Sequence, residues 1–208
     1  MAIGAKEVNR ILLQMVKDIE ENKAYLTELD AAIGDNDHGI NMNKGFRFAG
    51  EKLGAMENSS ISDMIKTVAT GLLSHVGGSA GPLYGTLFLK ASGASKEKDE
   101  ISLSDFCVML REGVDGVKMR GKSDRGEKTM LDVLIPVLES LEQSAAEGEG
   151  AKPAFEKALI AAKEGVEFTK TIKATKGRAS YLGDRSIGHI DPGAMSSCLL
   201  VNAIYEML

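Results

Sequence analysis

Apolar residues return every three or four positions along most of the chain, the spacing of helices that bury one face. Val8, Ile11, Leu12, Met15 and Ile19 share one such face, and Tyr25, Leu26 and Leu29 extend it. A second helix is predicted from near Ile40 through Phe46 towards Leu53. Ser60 with Asp63 has the form of an N-terminal cap ahead of Met64, Ile65, Val68, Leu72 and Leu73. Further helices are predicted over 83–95, 103–119, 128–141, 153–171 and 191–207. Pro136 should bend the sixth without ending it. Asp191-Pro192 opens the last, with Asp at the N-cap and Pro at the first helical position. No run alternates β-branched and polar residues as a strand would. The pattern therefore reads as all-α, with about eight amphipathic helices packed as an up-and-down bundle.

The connections fall into two kinds. Those near 56–59, 95–102 and 147–152 are plain, small and polar. Those at 34–39 (GDNDHG), 77–85 (GGSAGPLYG), 120–129 (RGKSDRGEKT) and 173–193 are rich in Gly, Asp, Ser, Arg and His. Plain and rich connections alternate along the chain. In an up-and-down bundle alternate loops lie at the same end, so all four rich loops should converge there. Loops that are merely solvated have no reason to sort in this way.

Composition narrows the possibilities. With 208 residues, 43% hydrophobic and 26% charged, the chain suits one well-filled domain over 1–208 and neither a disordered nor a fibrous protein. No apolar run reaches the ~18 residues of a membrane span, and MAIGAKEVNR lacks the apolar core of a signal peptide. Cys107 and Cys198 both sit in apolar periodic stretches and read as buried thiols. A reducing cytoplasm fits these features. The net charge of −5 argues against nucleic acid as the main partner.

Chemistry concentrates in the rich loops. Asp30, Asp35 and Asp37 crowd three carboxylates together, which repel unless a cation neutralises them. Oxygen-only ligands suit magnesium, completed by waters and phosphates. An EF-hand starting at Asp35 would need Gly at its sixth position and Glu at its twelfth, where Ile40 and Phe46 stand. The plainer alternative is that Asp35 and Asp37 are turn formers and caps; Asp30, His38, Asn41 and Asn43 nearby favour a site. In the second loop, glycines and a following helix N-terminus can present N–H groups to an anion, with Ser79 adding a hydroxyl; a simple tight turn before Pro82 fits equally. Gly121, Gly126, Lys128 and Thr129 nearly form a P-loop, but Glu127 intrudes and no parallel sheet is legible. The loop is kept as a nucleotide contact only. Arg178 and Arg185 in the last loop could grip phosphates, with His189 beside them. Met15, Met42, Met109, Met130 and Met195 should fill the core, and of these only Met130 is close enough to a rich loop to touch a base. No Ser–His or Cys–His nucleophile arrangement is legible.

Four motifs carry a family resemblance: LDAAIGDNDHGINMN (29–43), GGSAGPLYGT (77–86), DGVKMRGK (115–122) and GRASYLGDRSIGHIDPGA (177–194). In order and spread over nearly the whole chain, they resemble the nucleotide-binding L subunit of dihydroxyacetone kinase of the phosphotransferase-dependent type. The resemblance implies a closed antiparallel barrel of eight helices with the nucleotide at one end. It implies that Asp30, Asp35 and Asp37 hold two Mg2+ ions bridging the phosphates. It places His38, Gly39, Ile40, Asn41, Ser79, Ala80, Gly121, Met130, Arg178, Asp191, Pro192 and Gly193 around ADP or ATP. It further implies that a phosphohistidine subunit of the phosphotransferase system, charged from phosphoenolpyruvate, converts bound ADP to ATP. The γ-phosphoryl group then passes to dihydroxyacetone on a separate K subunit. Two alternatives stay open: an ATP-dependent kinase for dihydroxyacetone or another acceptor, and a coactivator module that binds a transcription regulator.

Overall fold

Each helix packs on the next in chain order until the last returns to the first. The structure, a computed structural model, describes residues 2–56 and 59–208. Residues 57 and 58 of the plain connection at 56–59, and the first residue of the N-terminal stretch, therefore lie outside the described residues. The helices are α1 (Ala5–Glu21), α2 (Lys23–Ile33), α3 (His38–Leu53), α4 (Ile61–His75), α5 (Ala80–Ala94), α6 (Leu103–Gly121), α7 (Leu131–Ala146), α8 (Ala151–Thr171) and α9 (Pro192–Met207). From α3 to α9 each packs against its successor; α1 closes the ring by packing on both α3 and α9, and α2 also lies against those two. The result is a closed antiparallel helical barrel.

The helix expected to run unbroken from Val8 to Leu29 is divided at Asn22, so among the described residues nine α-helices occupy eight rungs of the ring. The Asn22 backbone N–H and its Nδ2 both donate to the Asp18 carbonyl, at 3.0 and 2.8 Å. The side-chain bond gives the Asp18 carbonyl a donor outside the helix ladder, and Asn22 itself leaves helical geometry (φ −94°, ψ 7°), ending α1 before α2 begins at Lys23. Ser60 caps α4 as expected, its hydroxyl accepting from the Asp63 N–H at 3.1 Å. Asp191 caps α9, accepting from the Ala194 N–H at 2.7 Å, with Pro192 in the first turn. Helix α7 begins at Leu131 rather than at 128, because Lys128 has φ 61°, a left-handed conformation that cannot continue into a right-handed helix. Pro136 lies inside α7 without ending it.

Two segments depart from the purely helical expectation. Ile3–Gly4 pairs antiparallel with Glu100–Ile101, joining the N-terminal stretch to the plain α5–α6 connection. Two-residue strands are too short to leave a period in the sequence. The long α8–α9 connection carries a 3-10 segment, Arg178–Ser186, broken by Gly183 at φ 59°. It packs on α2 through Ile33, Ala174, Ala179 and Leu182. Ser186 fastens it by accepting from the Ala174 N–H at 2.9 Å and donating to the Gly183 carbonyl at 2.7 Å.

The inner faces fill the barrel. Ile19, Leu26, Met42, Phe46, Leu72, Leu131 and Leu141 are fully buried, each worth about 1.5–3 kcal/mol of transfer free energy. Met15 and Met109 are also buried, and Met195 is partly buried against the core. Cys107 and Cys198 are buried free thiols. Towards the plain end the interior keeps an apolar cavity of about 140 Å³ between Leu12, Leu87, Phe106, Phe155 and Leu200. Among the described residues, no helix is long and apolar enough to cross a membrane.

Candidate functional site

The rich loops do converge, and they surround a cleft of about 700 Å³ at one end of the barrel. Asp30 comes from the last turn of α2, Asp35 and Asp37 from the turn that follows, and His38 and Asn41 from the first turns of α3. Ser79 and Ala80 open α5; Gly121 ends α6; Met130 precedes α7; Arg178 starts the 3-10 segment; Asp191, Pro192 and Gly193 open α9. All of these line the cleft. Gly39 and Ile40 do not. Gly39 is pressed against α2, where a Cβ would stand 2.1 Å from the Lys23 carbonyl oxygen. Ile40 faces outward and is 36% exposed. Asn43, Arg185 and His189 are likewise outside the lining.

The aspartates form a real cluster: one carboxylate oxygen from each of Asp30, Asp35 and Asp37 lies within 4.8 Å of the others. Asp30 is buried, and its Oδ2 accepts from the backbone N–H groups of Asp37 and His38 at 2.8 and 3.1 Å. That pair of bonds folds the 34–37 turn back over the end of α2. Asp30 thus organises the loop as well as contributing charge. Asp35 draws a cation from across the cleft, with Arg178 Nε 2.8 Å from its Oδ2. The donor set is all oxygen and strongly anionic, as a hard divalent cation requires. It fits magnesium.

Ser79 makes no side-chain cap on α5, so the first N–H groups of that helix are not closed off by its hydroxyl and remain suited to an anion. The third loop works differently from the P-loop it nearly matches. The Lys128 ammonium turns inward and donates to the carbonyls of Thr169 and His189, tying the α6–α7 loop to the α8–α9 connection. Burial pulls the Lys128 pKa down. Asp132, fully buried, accepts from the N–H groups of Gly126 and Thr129 at 2.5 and 2.8 Å. Sequence reading missed both roles. The Thr129-x-x-Asp132 spacing of a helix start was the available signal for Asp132; nothing in the sequence showed that Lys128 points inward.

Behind the cleft lies a hydroxyl network that the sequence also concealed. Tyr84 of α5 donates to the Gly193 carbonyl at 2.7 Å and meets Ser196 and Ser197 of α9 at 2.7 and 2.8 Å. Ser196 Oγ lies 2.9 Å from His38 Nε2, so a Ser–His contact does exist where none was expected. It is not a nucleophile pair: Ser196 is fully buried and its hydroxyl is shared among Tyr84 and the Pro192 and Gly193 carbonyls. Burial lowers the His38 pKa to about 4, against a smaller opposing pull from Asp30, so the imidazole is neutral at pH 7. Burial raises that of Tyr84. Asp191, at the cleft floor, is pushed up to about 7 by burial, opposed by its bond from Ala194 and by Lys128.

Three comparisons set this geometry among known proteins. A family model described as the DAK2 domain matches residues 32–206. The chain is 47% identical over 180 residues to the ADP-binding subunit DhaL of the PEP-dependent dihydroxyacetone kinase of Escherichia coli (strain K12), covering 86% of each chain. It is 43% identical over 190 residues to the ADP-binding subunit DhaL of the PTS-dependent dihydroxyacetone kinase of Lactococcus lactis, covering 91% of each. Human triokinase/FMN cyclase is 30% identical, with 99% of this chain matching 36% of that protein. Among solved structures, the dihydroxyacetone kinase of C. freundii in complex with AMP-PNP and Mg2+ superposes with a TM-score of 0.73 at 24% identity. That match covers 96% of this chain and 33% of the other, and it shows a shared fold.

Proposed function

The chain belongs to the DAK2 domain family, and we propose that it is the adenine-nucleotide-carrying subunit of a phosphoenolpyruvate-dependent dihydroxyacetone kinase. The observation that carries this reading is the three-aspartate cluster at the mouth of a cleft enclosed by four loops. The relatives with matching length are ADP-binding subunits of such kinases.

In this reading Asp30, Asp35 and Asp37 hold magnesium, two ions in all, and the whole of 1–208 acts as one nucleotide-binding unit. When bound, magnesium neutralises the phosphate oxygens during phosphoryl transfer. The chain supplies positioning. His38 and Asn41 start α3 beside the phosphates; Gly39 and Ile40, between them in the same turn but outside the cleft lining, contribute through backbone groups alone. Ser79 and Ala80 offer the N-terminus of α5 to an anion. Arg178 adds a cation from the opposite loop. Gly121, Met130, Asp191, Pro192 and Gly193 shape the remaining walls and floor. His38 stays neutral and works as a fixed hydrogen-bonding group rather than as a charge.

In this reading a separate K subunit holds dihydroxyacetone and completes the reaction, as suits relatives that are the ADP-binding subunits of dihydroxyacetone kinases. A cytoplasmic phosphohistidine subunit of the phosphotransferase system recharges the bound ADP. The decisive assay combines the purified chain, its K subunit, the phosphohistidine donor and phosphoenolpyruvate, and follows dihydroxyacetone phosphate. Turnover requiring every component is expected. Equal turnover with free ATP and no donor would favour the ATP-dependent kinase. No turnover in any combination would leave a nucleotide-sensing coactivator of a transcription regulator as the better account.

A further inference from the structure

We propose that Arg178 is a built-in competitor for the metal, so that the cleft discriminates against free divalent cation and admits it together with the nucleotide's phosphates. This rests on reading the aspartate cluster as a metal site.

The three carboxylates are not equivalent. Asp30 Oδ2 is engaged by the N–H groups of Asp37 and His38, which are fixed parts of the turn. Asp35 instead pairs with a side chain from a distant loop, Arg178, at 2.8 Å. Arg178 follows Gly177, whose φ is 61°, at the start of the 3-10 segment. The guanidinium meets Asp35 through Nε, and among the described residues it makes no other hydrogen bond or ion pair. It is a long side chain, largely exposed, that can swing without disturbing the barrel.

A bare divalent ion entering the cluster meets this charge. It must either share Asp35 with the guanidinium a few ångströms away or strand the guanidinium beside two further positive charges. Both outcomes cost electrostatic free energy. A metal that arrives with phosphates offers a way out, because the phosphate oxygens accept the guanidinium as it leaves Asp35. Arg178 therefore opposes one ligand alone and favours the pair. By linkage, metal and nucleotide then raise each other's affinity by the same factor.

This account gives Arg178 effects of opposite sign on two ligands, which a merely structural role would not produce. The test titrates the full chain, stripped with EDTA, with Mn2+ alone, followed by the EPR signal of free Mn2+. A second titration uses ADP at saturating Mg2+, followed by calorimetry. Arg178→Met should bind Mn2+ alone about threefold to tenfold more tightly, as removal of one partly screened charge implies. The same variant should bind ADP with Mg2+ more weakly. Arg178→Lys, which keeps the charge, should stay near the wild type for Mn2+ alone. Unchanged or weaker Mn2+ binding by Arg178→Met overturns the proposal, and so does a Lys variant that behaves like the Met one. If the wild type takes up no Mn2+ with or without ADP, the metal-site reading falls, and this inference with it.

Discussion

Gly39→Ala tests whether the metal cluster depends on the close approach of two helices. A Cβ at Gly39 would lie 2.1 Å from the Lys23 carbonyl oxygen, 2.6 Å from Thr27 Oγ1 and 2.8 Å from the Thr27 backbone nitrogen. Two of these are backbone atoms of α2 and cannot swing aside as a flexible side chain could. An ordinary contact needs more than 3 Å, so α3 must back away from α2 by roughly 1 Å. Overpacking of this kind costs about 1–3 kcal/mol, and rigid neighbours place it at the upper end. The shift also has a direction. Asp30 rides on α2, while Asp37 and His38 ride on the start of α3, so the Asp30 bonds to their N–H groups lengthen. Gly93→Ala is the control, since nothing lies within 4 Å of its Cβ position in α5 and helix propensity favours alanine by about 1 kcal/mol. Urea unfolding should show Gly39→Ala destabilised by about 3 kcal/mol, with ADP binding in Mg2+ reduced at least tenfold. Gly93→Ala should match or exceed the wild type. A Gly39→Ala protein within ~0.5 kcal/mol of the wild type, with unchanged ADP affinity, would refute the reasoning.

Two further outcomes follow from buried charge. The carboxyl of Asp191 titrates at about 7 in the folded chain rather than at 3.8. The folded state thus keeps its proton longer than the unfolded one, and stability is lost as pH rises from about 4 to about 7, flattening above. The loss is at most about 4 kcal/mol, lessened by solvent reaching Asp191 through the cleft. Asp191→Asn keeps a capping oxygen and removes the titration, so in EDTA its advantage over the wild type should grow across that window; a constant difference between the two proteins from pH 4 to pH 8 would count against a buried, proton-holding Asp191. Lys128→Met keeps the bulk but abandons the Thr169 and His189 carbonyls and leaves Asp191 without its cation. It should cost about 2–4 kcal/mol in urea unfolding and speed proteolysis within 172–191. Wild-type stability and proteolysis would show that the tether is dispensable.

Periodicity revealed most of the helices, because every rung of the barrel buries one face and leaves a 3.6-residue signature, and the alternating composition of the loops revealed their parity. What it could not see were features set by single side chains. Asn22 divides the first helix through hydrogen bonds to Asp18 that do not alter the apolar pattern. Lys128 looks like a phosphate-binding lysine in sequence, yet its left-handed backbone and inward ammonium make it a structural tie. The Tyr84–Ser196–His38 network joins residues 112 and 158 positions apart, beyond any local signal. In the metal cluster the crowding of Asp30, Asp35 and Asp37 was visible from spacing. The organising role of Asp30 was not, because it depends on backbone N–H groups seven and eight residues ahead. The engagement of Asp35 by Arg178 required two loops to meet across the cleft.

The most direct test of the account is ADP binding by calorimetry with and without Mg2+, on the wild type and on Asp30→Ala and Asp37→Ala, with circular dichroism to verify the helices. The account predicts binding by the wild type that depends on Mg2+, and loss of about a hundredfold or more in Asp37→Ala, as removal of a charged ligand worth ~3 kcal/mol implies. Asp30→Ala should lose as much and in addition loosen the 34–37 turn. Helical content should be kept in both. ADP affinity that is the same with EDTA as with Mg2+, or unchanged in both variants, would contradict a metal-held nucleotide at this end of the barrel.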